Sequence, residues 1–543
     1  MSEDYLRHSR TLTNNSNLPY NQGIFNRTII YLEDKILSFS GGQPLTLHGL
    51  PSPDRTNELR DDLPREVAAE YAYDVNSLEE IVANRTPLLT DDQREAYQNI
   101  LLLLDQQSTG HIVFLDALGG TRKTFLLNLL LAKVRTHSDI AIAVASSGIA
   151  ATLLTGGKTA HSTFKLPLNL HNADQPTCAT EKASAKAELL RLAKLIVWDE
   201  CTMSHKKAFE ALNTTLQDIR NNDLLMGGLT VVLAGDFRQK LPIIQKGTRA
   251  DEIHACLKSS RTLRPHVRKL HLRKNMRVHR FQDENAGQYS DLLLRIGNGQ
   301  LPRNPENGLI TIPCGKLTPT LDELQDQVFP SLAQNYTDIH WLSERAILAP
   351  TNESVYLIND NLLKLIPTQE RHYISIDTTV KIDDAVNYST EFLNSLNPTG
   401  LPPYILTLKI GAPIMLLRNL DPPKLCNGTK LIVRQLRANV IEATIAVGQY
   451  EGEHVFLPRI PLIPSDTTIP FKRLQFPVRT CFAMTINKSQ GQTLNTVGLY
   501  LASHCFSQRQ FYVACSRVST PENICILAET NETANVVYTE ILS

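Results

Sequence analysis

The chain has 543 residues and an apolar fraction of 42%, enough for roughly three to four domains with sizeable cores. Its 55 Lys plus Arg balance 55 Asp plus Glu, so no overall field draws in a polyanion, and a nucleic-acid partner has to be held by a local basic lining. The 9 cysteines include no closely spaced pair of the zinc-binding kind, which argues against a zinc site and predicts buried free thiols in a reducing compartment.

Residues 1–85 are polar. The opening MSEDYLRHSR lacks the apolar stretch of a secretory signal and the Arg-rich pattern of a transit peptide. No apolar run anywhere approaches the ~18 residues of a membrane span, so a soluble intracellular protein is expected. A turn-rich stretch around Gly41-Gly42 and Pro51-Ser52-Pro53 leads into a charged helical pattern with no evident chemistry. From Leu89 the texture changes. Thr90-Asp91-Asp92-Gln93 reads as an N-cap for a helix from Arg94 to Leu104. Ile112 to Leu115 is an apolar strand, Phe125 to Val134 has the helical period, and Ile140 to Ala145, Leu195 to Val197 and Val231 to Leu233 are further strands. Apolar strands without alternation, spaced by helices, predict an α/β fold with a parallel sheet covered on both faces. The texture returns at Ala346 to Leu348 and after Thr480. Between these returns, 370–472 is rich in Pro and strand patterns, which predicts a small β domain inserted into a second α/β domain.

The first strand runs into Asp116-Ala117-Leu118-Gly119-Gly120-Thr121-Arg122-Lys123-Thr124. A phosphate-binding loop needs glycines so that backbone N–H groups can wrap phosphates, a Lys for their charge and a hydroxyl for magnesium. Lys123, Thr124 and the Gly119-Gly120 pair meet those needs. Ala117 and Arg122 stand where two further glycines are expected. If the backbone at Arg122 needs positive φ, strain of about 1–2 kcal/mol follows, and its side chain crowds the nucleotide. An ordinary glycine turn between strand and helix is the alternative.

The strand Leu195 to Trp198 ends in Asp199-Glu200, where one acid can hold magnesium and its neighbour orient or deprotonate a water. An acidic pair is otherwise a solvated turn; its place one strand from the loop favours the first reading. Gln239, closing the run Val231 to Gln239, can present an amide to a terminal phosphate or sit in an exposed polar loop. Arg277 and Arg517 are candidates for a cation carried into the nucleotide site from a second domain.

Taken together, LTDDQ, the loop ending in RKT, SSGIAATLLTGGKTAHSTF, IVWDE, GDFRQ, KNMR, TINKSQGQT and FYVACSRV resemble, in order, the motifs of Pif-type DNA helicases, superfamily-one motors, over about 40–543. ERAILAPTNE and the block from EFLNSLNPTGLPP to KLCNGTKLIV look like the Helitron-transposon branch. The resemblance implies two RecA-like P-loop domains, at 86–265 (with a short wedge insertion about 165–190) and at 266–369 with 473–543. It also implies a small β-barrel-like domain at 370–472; the role of 1–85 is unknown. ATP and magnesium are the implied cofactors, single-stranded and duplex DNA the implied partners, with a monomer in the nucleus. The implied activity is ATP-driven 5′ to 3′ translocation and unwinding in repair, recombination, telomere maintenance or transposition; a catalytically impaired DNA-binding remnant is the competing reading.

Carried over by position, Gln93 resembles the adenine-contacting Gln, and Gly119, Gly120, Thr121, Arg122, Lys123 and Thr124 the nucleotide-binding loop. Thr124 and Asp199 would hold the metal, Glu200 would activate water, Gln239 would sense the γ-phosphate, and Arg277 and Arg517 would serve as arginine fingers. Thr159, His161, Phe164, Lys488 and Ser489 fall in segments that face DNA. For His161 and Phe164, core packing is the alternative. The basic run Arg261, Arg264, Arg268, Lys269, Arg273, Lys274 is either a DNA-facing stripe or a solvated helix face.

Overall fold

The computed structural model describes residues 65–106, 109–167, 170, 176–244, 247–274, 284–380, 388–398, 400–464 and 469–541, with Ile29 and 51–52. They fall into two compact units: one contains 372–406 and 457–477, the other 65–371, 407–456 and 478–541. No helix among the described residues is long and apolar enough to cross a membrane.

In the larger unit, β1 (His111–Ala117), β2 (Ile140–Ala145), β3 (Lys158–Thr159), β4 (Ala193–Asp199), β5 (Thr230–Gly235) and β6 (Val267–Leu272) form a six-stranded sheet in the order β3-β2-β4-β5-β1-β6. Every pairing is parallel. Alternate residues feed two cores. Ile112, Phe114, Ile196, Trp198, Val231 and Leu233 face one side with Phe209 and Leu212 of helix Lys206–Arg220. Val113, Leu115, Leu195, Val197 and Val232 face the other with Leu126, Leu127 and Leu130 of helix Lys123–Arg135. Burial on both faces is why these strands read as unbroken apolar runs.

A second lobe repeats the plan. The strands β7 (Lys316–Leu317), β8 (Arg345–Ala349), β9 (Ala483–Thr485), β10 (Thr496–Leu501) and β11 (Ile524–Ala528) form a five-stranded sheet in the order β9-β8-β10-β11-β7, again parallel throughout. Strands Pro413–Leu416, Lys430–Leu436 and Val440–Ile445 run antiparallel beside it, Pro413–Leu416 also pairing with Val478–Thr480.

Several boundaries differ from expectation. β6 pairs with β1, so the first lobe runs past 265. Its sequence VRKLHL hid it: an edge strand carries exposed charge, as Arg268 and Lys269 do, which discourages pairing with another chain. The basic run is therefore no helix face; Arg264 lies in a short 3₁₀ turn before this strand. Helices Arg65–Tyr71 and Val75–Arg85, expected to lie in a separate N-terminal region, pack on the first lobe. There the buried Arg135 stacks 4.2 Å over the Tyr73 ring and pairs with Glu70 at 3.2 Å. The stretch 370–472 does not behave as one insertion: 407–456 group with the larger unit, and only 372–406 and 457–477 form a unit of their own. Inside that smaller unit, Ile376–Thr379 and Ile460–Leu462 pair antiparallel with Phe471–Gln475.

Candidate nucleotide and nucleic-acid sites

The helix Asp91–Asp105 begins at Thr90, whose N–H donates to Gln93 Oε1 at 3.2 Å in a capping box. The other end of the same amide donates to the Thr121 carbonyl at 2.8 Å. Gln93, 2% exposed, thus ties this helix to the loop after β1.

That loop turns on Gly120, at φ 90, and on Arg122, at φ 54 and ψ 39. Glycine adopts such angles freely; arginine there carries the expected strain of about 1–2 kcal/mol. The crowding is less than the sequence suggests: Arg122 is exposed, and its guanidinium sits 5.9 Å from the Phe125 ring centroid, although it still forms part of the cavity wall. Ala117, 1% exposed, is the last residue of β1 and pairs with Leu272.

Lys123, the first residue of its helix, extends to the end of β4. Its Nζ lies 2.7 Å from Asp199 Oδ1 and 2.9 Å from Glu200 Oε1. Asp199 and Glu200 are 2% and 3% exposed, and Glu200 is held in the left-handed region at φ 50. Burial alone would push the Lys123 ammonium down, but the two carboxylates outweigh it and hold it above its ordinary value. Burial raises the Asp199 carboxyl. It acts on Glu200 too, but Lys123 and a hydrogen bond from Gln490 prevail and keep that carboxyl low.

A cavity of about 330 Å³ opens beside this cluster, walled by Gly119, Gly120, Lys123, Thr124, Glu200 and Gln239 from the first lobe and by Gly491, Gln492, Thr493, Ser516 and Arg517 from the second. Gln239 is 5% exposed, and its Oε1 has no hydrogen-bond partner among the described residues. Arg517 is anchored by the carbonyls of Val513 at 2.9 Å and Gln492 at 2.9 Å. Arg277 lies outside the described residues.

Two contacts that the sequence motifs contain but do not announce join the lobes here. Gln490 Nε2 donates to Glu200 Oε2 at 3.0 Å, and Tyr512 Oη donates to the fully buried Asp236 at 2.9 Å. The only signal for either was membership of KSQGQT, GDFRQ and FYVACSRV.

A second cavity, about 390 Å³, is lined by Ser147, Thr159, His161 and Lys240 of the first lobe and by Asn427, Lys488 and Gln490 beyond it. The walls meet closely: a Cβ on Gly148 would sit 1.7 Å from the Asn427 carbonyl oxygen, so only glycine fits. Burial lowers Lys240 and Lys488 to about 8 each, with Arg479 and Arg418 adding to the effect on Lys488. Of the residues expected to face DNA, Thr159, His161 and Lys488 line this groove. Phe164 does not: it is fully buried, 5.6 Å from the Trp198 ring, and belongs to the first core. Ser489 is fully buried too, its hydroxyl donating to the Ile486 carbonyl at 2.7 Å. Both are small or apolar enough to be claimed by packing.

Two parallel-sheet lobes with a glycine loop, a Lys and paired acids at their junction define a two-lobe P-loop ATPase fold. The family model described as PIF1-like helicase matches residues 88–307, and that described as DNA helicase Pif1, 2B domain, matches 391–436. The chain is similar to PIF1-like helicases over those two stretches. It is 25% identical over 433 residues to a Danio rerio protein named ATP-dependent DNA helicase PIF1, covering 78% of this chain and 60% of that one. It is 26% identical over 434 residues to Campylobacter jejuni ATP-dependent DNA helicase Pif1, covering 76% and 88%. The chain thus spans about 60% of the length of the zebrafish relative. In fold it is similar to Bacteroides Pif1 bound to single-stranded DNA, with a TM-score of 0.59, 23% identity and coverage of 84% of this chain and 95% of that one. It is likewise similar to Candida albicans Pif1 helicase, with a TM-score of 0.56, 20% identity and coverage of 84% and 98%.

Proposed function

We propose that this chain is an ATP-dependent DNA helicase that translocates 5′ to 3′ on single-stranded DNA and opens duplex, acting in the nucleus. The observation that carries the reading is the shared wall of the 330 Å³ cavity: Lys123, Glu200 and Gln239 come from one lobe, Gln492 and Arg517 from the other. A triphosphate bound there would be gripped from both sides, so gain and loss of its γ-phosphate would close and open the lobes. Relatives named ATP-dependent DNA helicases and a related Bacteroides structure with ADP-AlF3 and single-stranded DNA support the reading.

The residues present fit ATP and magnesium. The loop offers backbone N–H groups around Gly119 and Gly120, Lys123 offers the cation, and Gln239 Oε1 is a buried acceptor with no donor among the described residues. Magnesium is commonly held by one or two carboxylates plus phosphates rather than by a protein cage, and among the described residues no cluster of three or more ligating side chains exists. Thr124 and Asp199 would hold the ion, whose charge would neutralise the phosphates. Lys123 exchanges its carboxylate partners for phosphate oxygens. Glu200, kept ionised, accepts a proton from the attacking water, while Gln239 Oε1 accepts that water's second hydrogen and fixes its direction. Arg517 supplies charge to the departing phosphate. Thr159, His161, Lys240 and Lys488 hold the strand in the groove by its phosphates.

The test is ATP turnover with and without single-stranded DNA, followed by displacement of a strand carrying a 5′ tail. DNA-stimulated hydrolysis and displacement are expected, with Lys123→Ala lowering turnover at least about 100-fold. Hydrolysis without stimulation would point to another class of P-loop ATPase. Turnover seen only in Arg122→Gly would make the natural chain an impaired DNA-binding remnant.

A further inference from the structure

The short segment after β9 runs between the two cavities. Asn487, Lys488 and Gln490 line the groove, whereas Gly491, Gln492 and Thr493 line the nucleotide cavity. At the changeover, Gln490 is 2% exposed and donates to Glu200 Oε2 at 3.0 Å across the lobe boundary. Lys123 donates to Glu200 Oε1 at 2.9 Å, so each oxygen of this carboxylate already has a donor. The acceptor end of the Gln490 amide is buried with no partner among the described residues. A buried amide left half-satisfied marks a conformation held by its surroundings. Those surroundings are stiff: Ser489 Oγ donates to the Ile486 carbonyl at 2.7 Å, and Arg517 Nη1 donates to the Ser489 carbonyl at 3.2 Å. Lys488 and Gln490 flank Ser489, so a displacement of one is passed through it to the other.

We propose that Gln490 is a positioning residue that restrains Glu200 until a strand enters the groove. The inference rests on the helicase reading above and adds a restraint to it. A general base has to aim an unshared oxygen at its water. While Gln490 stays on Oε2, Glu200 is less free to turn towards water. A strand phosphate drawn to Lys488 shifts the segment, releases Oε2 and restores the base, so hydrolysis rises with strand occupancy.

The experiment compares wild type, Gln490→Ala and Gln490→Glu in steady-state ATPase assays, with and without an oligothymidylate, resolving kcat from KM. Gln490→Ala is expected to raise the DNA-free rate several-fold and to bring the ratio of stimulated to basal rate towards one. Mere structural damage would lower both rates. Gln490→Glu keeps the shape of the side chain but, as a carboxylate, has no N–H to give Glu200 Oε2, so it too is expected to bring the ratio of stimulated to basal rate towards one. It also serves where Gln490→Ala fails to fold. A stimulated wild type with an unchanged ratio in Gln490→Ala and Gln490→Glu overturns this inference alone. A wild type that DNA does not stimulate overturns the helicase reading and this inference with it.

Discussion

Two buried ion pairs in this chain look alike on paper and differ in what surrounds them. In the smaller unit, Arg473 and Asp377 face each other across paired strands with both side chains fully buried. Arg473 Nε reaches both carboxylate oxygens at 3.0 Å, its Nη2 reaches Asp377 Oδ2 at 2.6 Å, and its remaining donors meet the carbonyls of Pro402 at 3.1 Å and Leu396 at 3.0 Å. Ser375 adds a hydrogen bond to Asp377 Oδ1 at 2.7 Å. In the larger unit, Lys123 has two carboxylates for one ammonium, an open cavity beside it, and two amide oxygens, on Gln239 and Gln490, with no partner among the described residues. A saturated pair is built to stay as it is. An unsaturated one is built to exchange partners, and the shortage of partners, rather than burial or charge, separates a site from a strut.

The largest effect should come from breaking the saturated pair. Asp377→Ala leaves a buried guanidinium uncompensated and should cost about 3–5 kcal/mol, read as a lowered midpoint in urea denaturation. A change below about 1 kcal/mol would mean that the carbonyls alone suffice to hold Arg473.

Next comes the groove, where burial outweighs the opposite charges that act on Lys240 and Lys488. Lys240 and Lys488 sit at about 8, below the 10.5 of an ordinary lysine, so their charges are present below that pH and lost above it. Affinity for single-stranded DNA should therefore fall about tenfold between pH 7 and 9, with a salt slope shallower by about 1.4, as for the loss of two strand contacts. Fluorescence anisotropy at several salt concentrations measures both; a flat profile to pH 9 would remove these two amines from the strand path.

The smallest effect concerns the strained loop. Arg122→Gly relieves about 1–2 kcal/mol of left-handed strain but gives the unfolded chain more freedom, worth about 0.4–1 kcal/mol. A net gain near 1 kcal/mol is expected, seen as a slightly raised melting temperature, together with faster turnover. A loss of stability would show that the contact of Arg122 with Phe125 outweighs the strain.

How much of this was legible beforehand varies by element. The strands of both sheets were readable because burial on two faces leaves apolar runs, and the loop after β1 was readable because phosphate chemistry needs particular residues in a row. β6 was missed because an edge strand is selected for exposed charge, which hides the apolar pattern. Phe164 and Ser489 were misplaced because an aromatic or a hydroxyl inside a motif looks the same whether it meets a base or a core.

The sequence alone determined the α/β texture, the glycine loop with its Lys and Thr, and the acids at the end of β4, since each depends on neighbours within one turn or strand. Only the tertiary structure decided which of those residues meet. Gln490 and Glu200 are 290 positions apart, and Tyr512 and Asp236 are 276 apart. Contacts at such separation are set by the packing of one sheet against another, to which local dihedral preference and hydrophobic period contribute nothing directly.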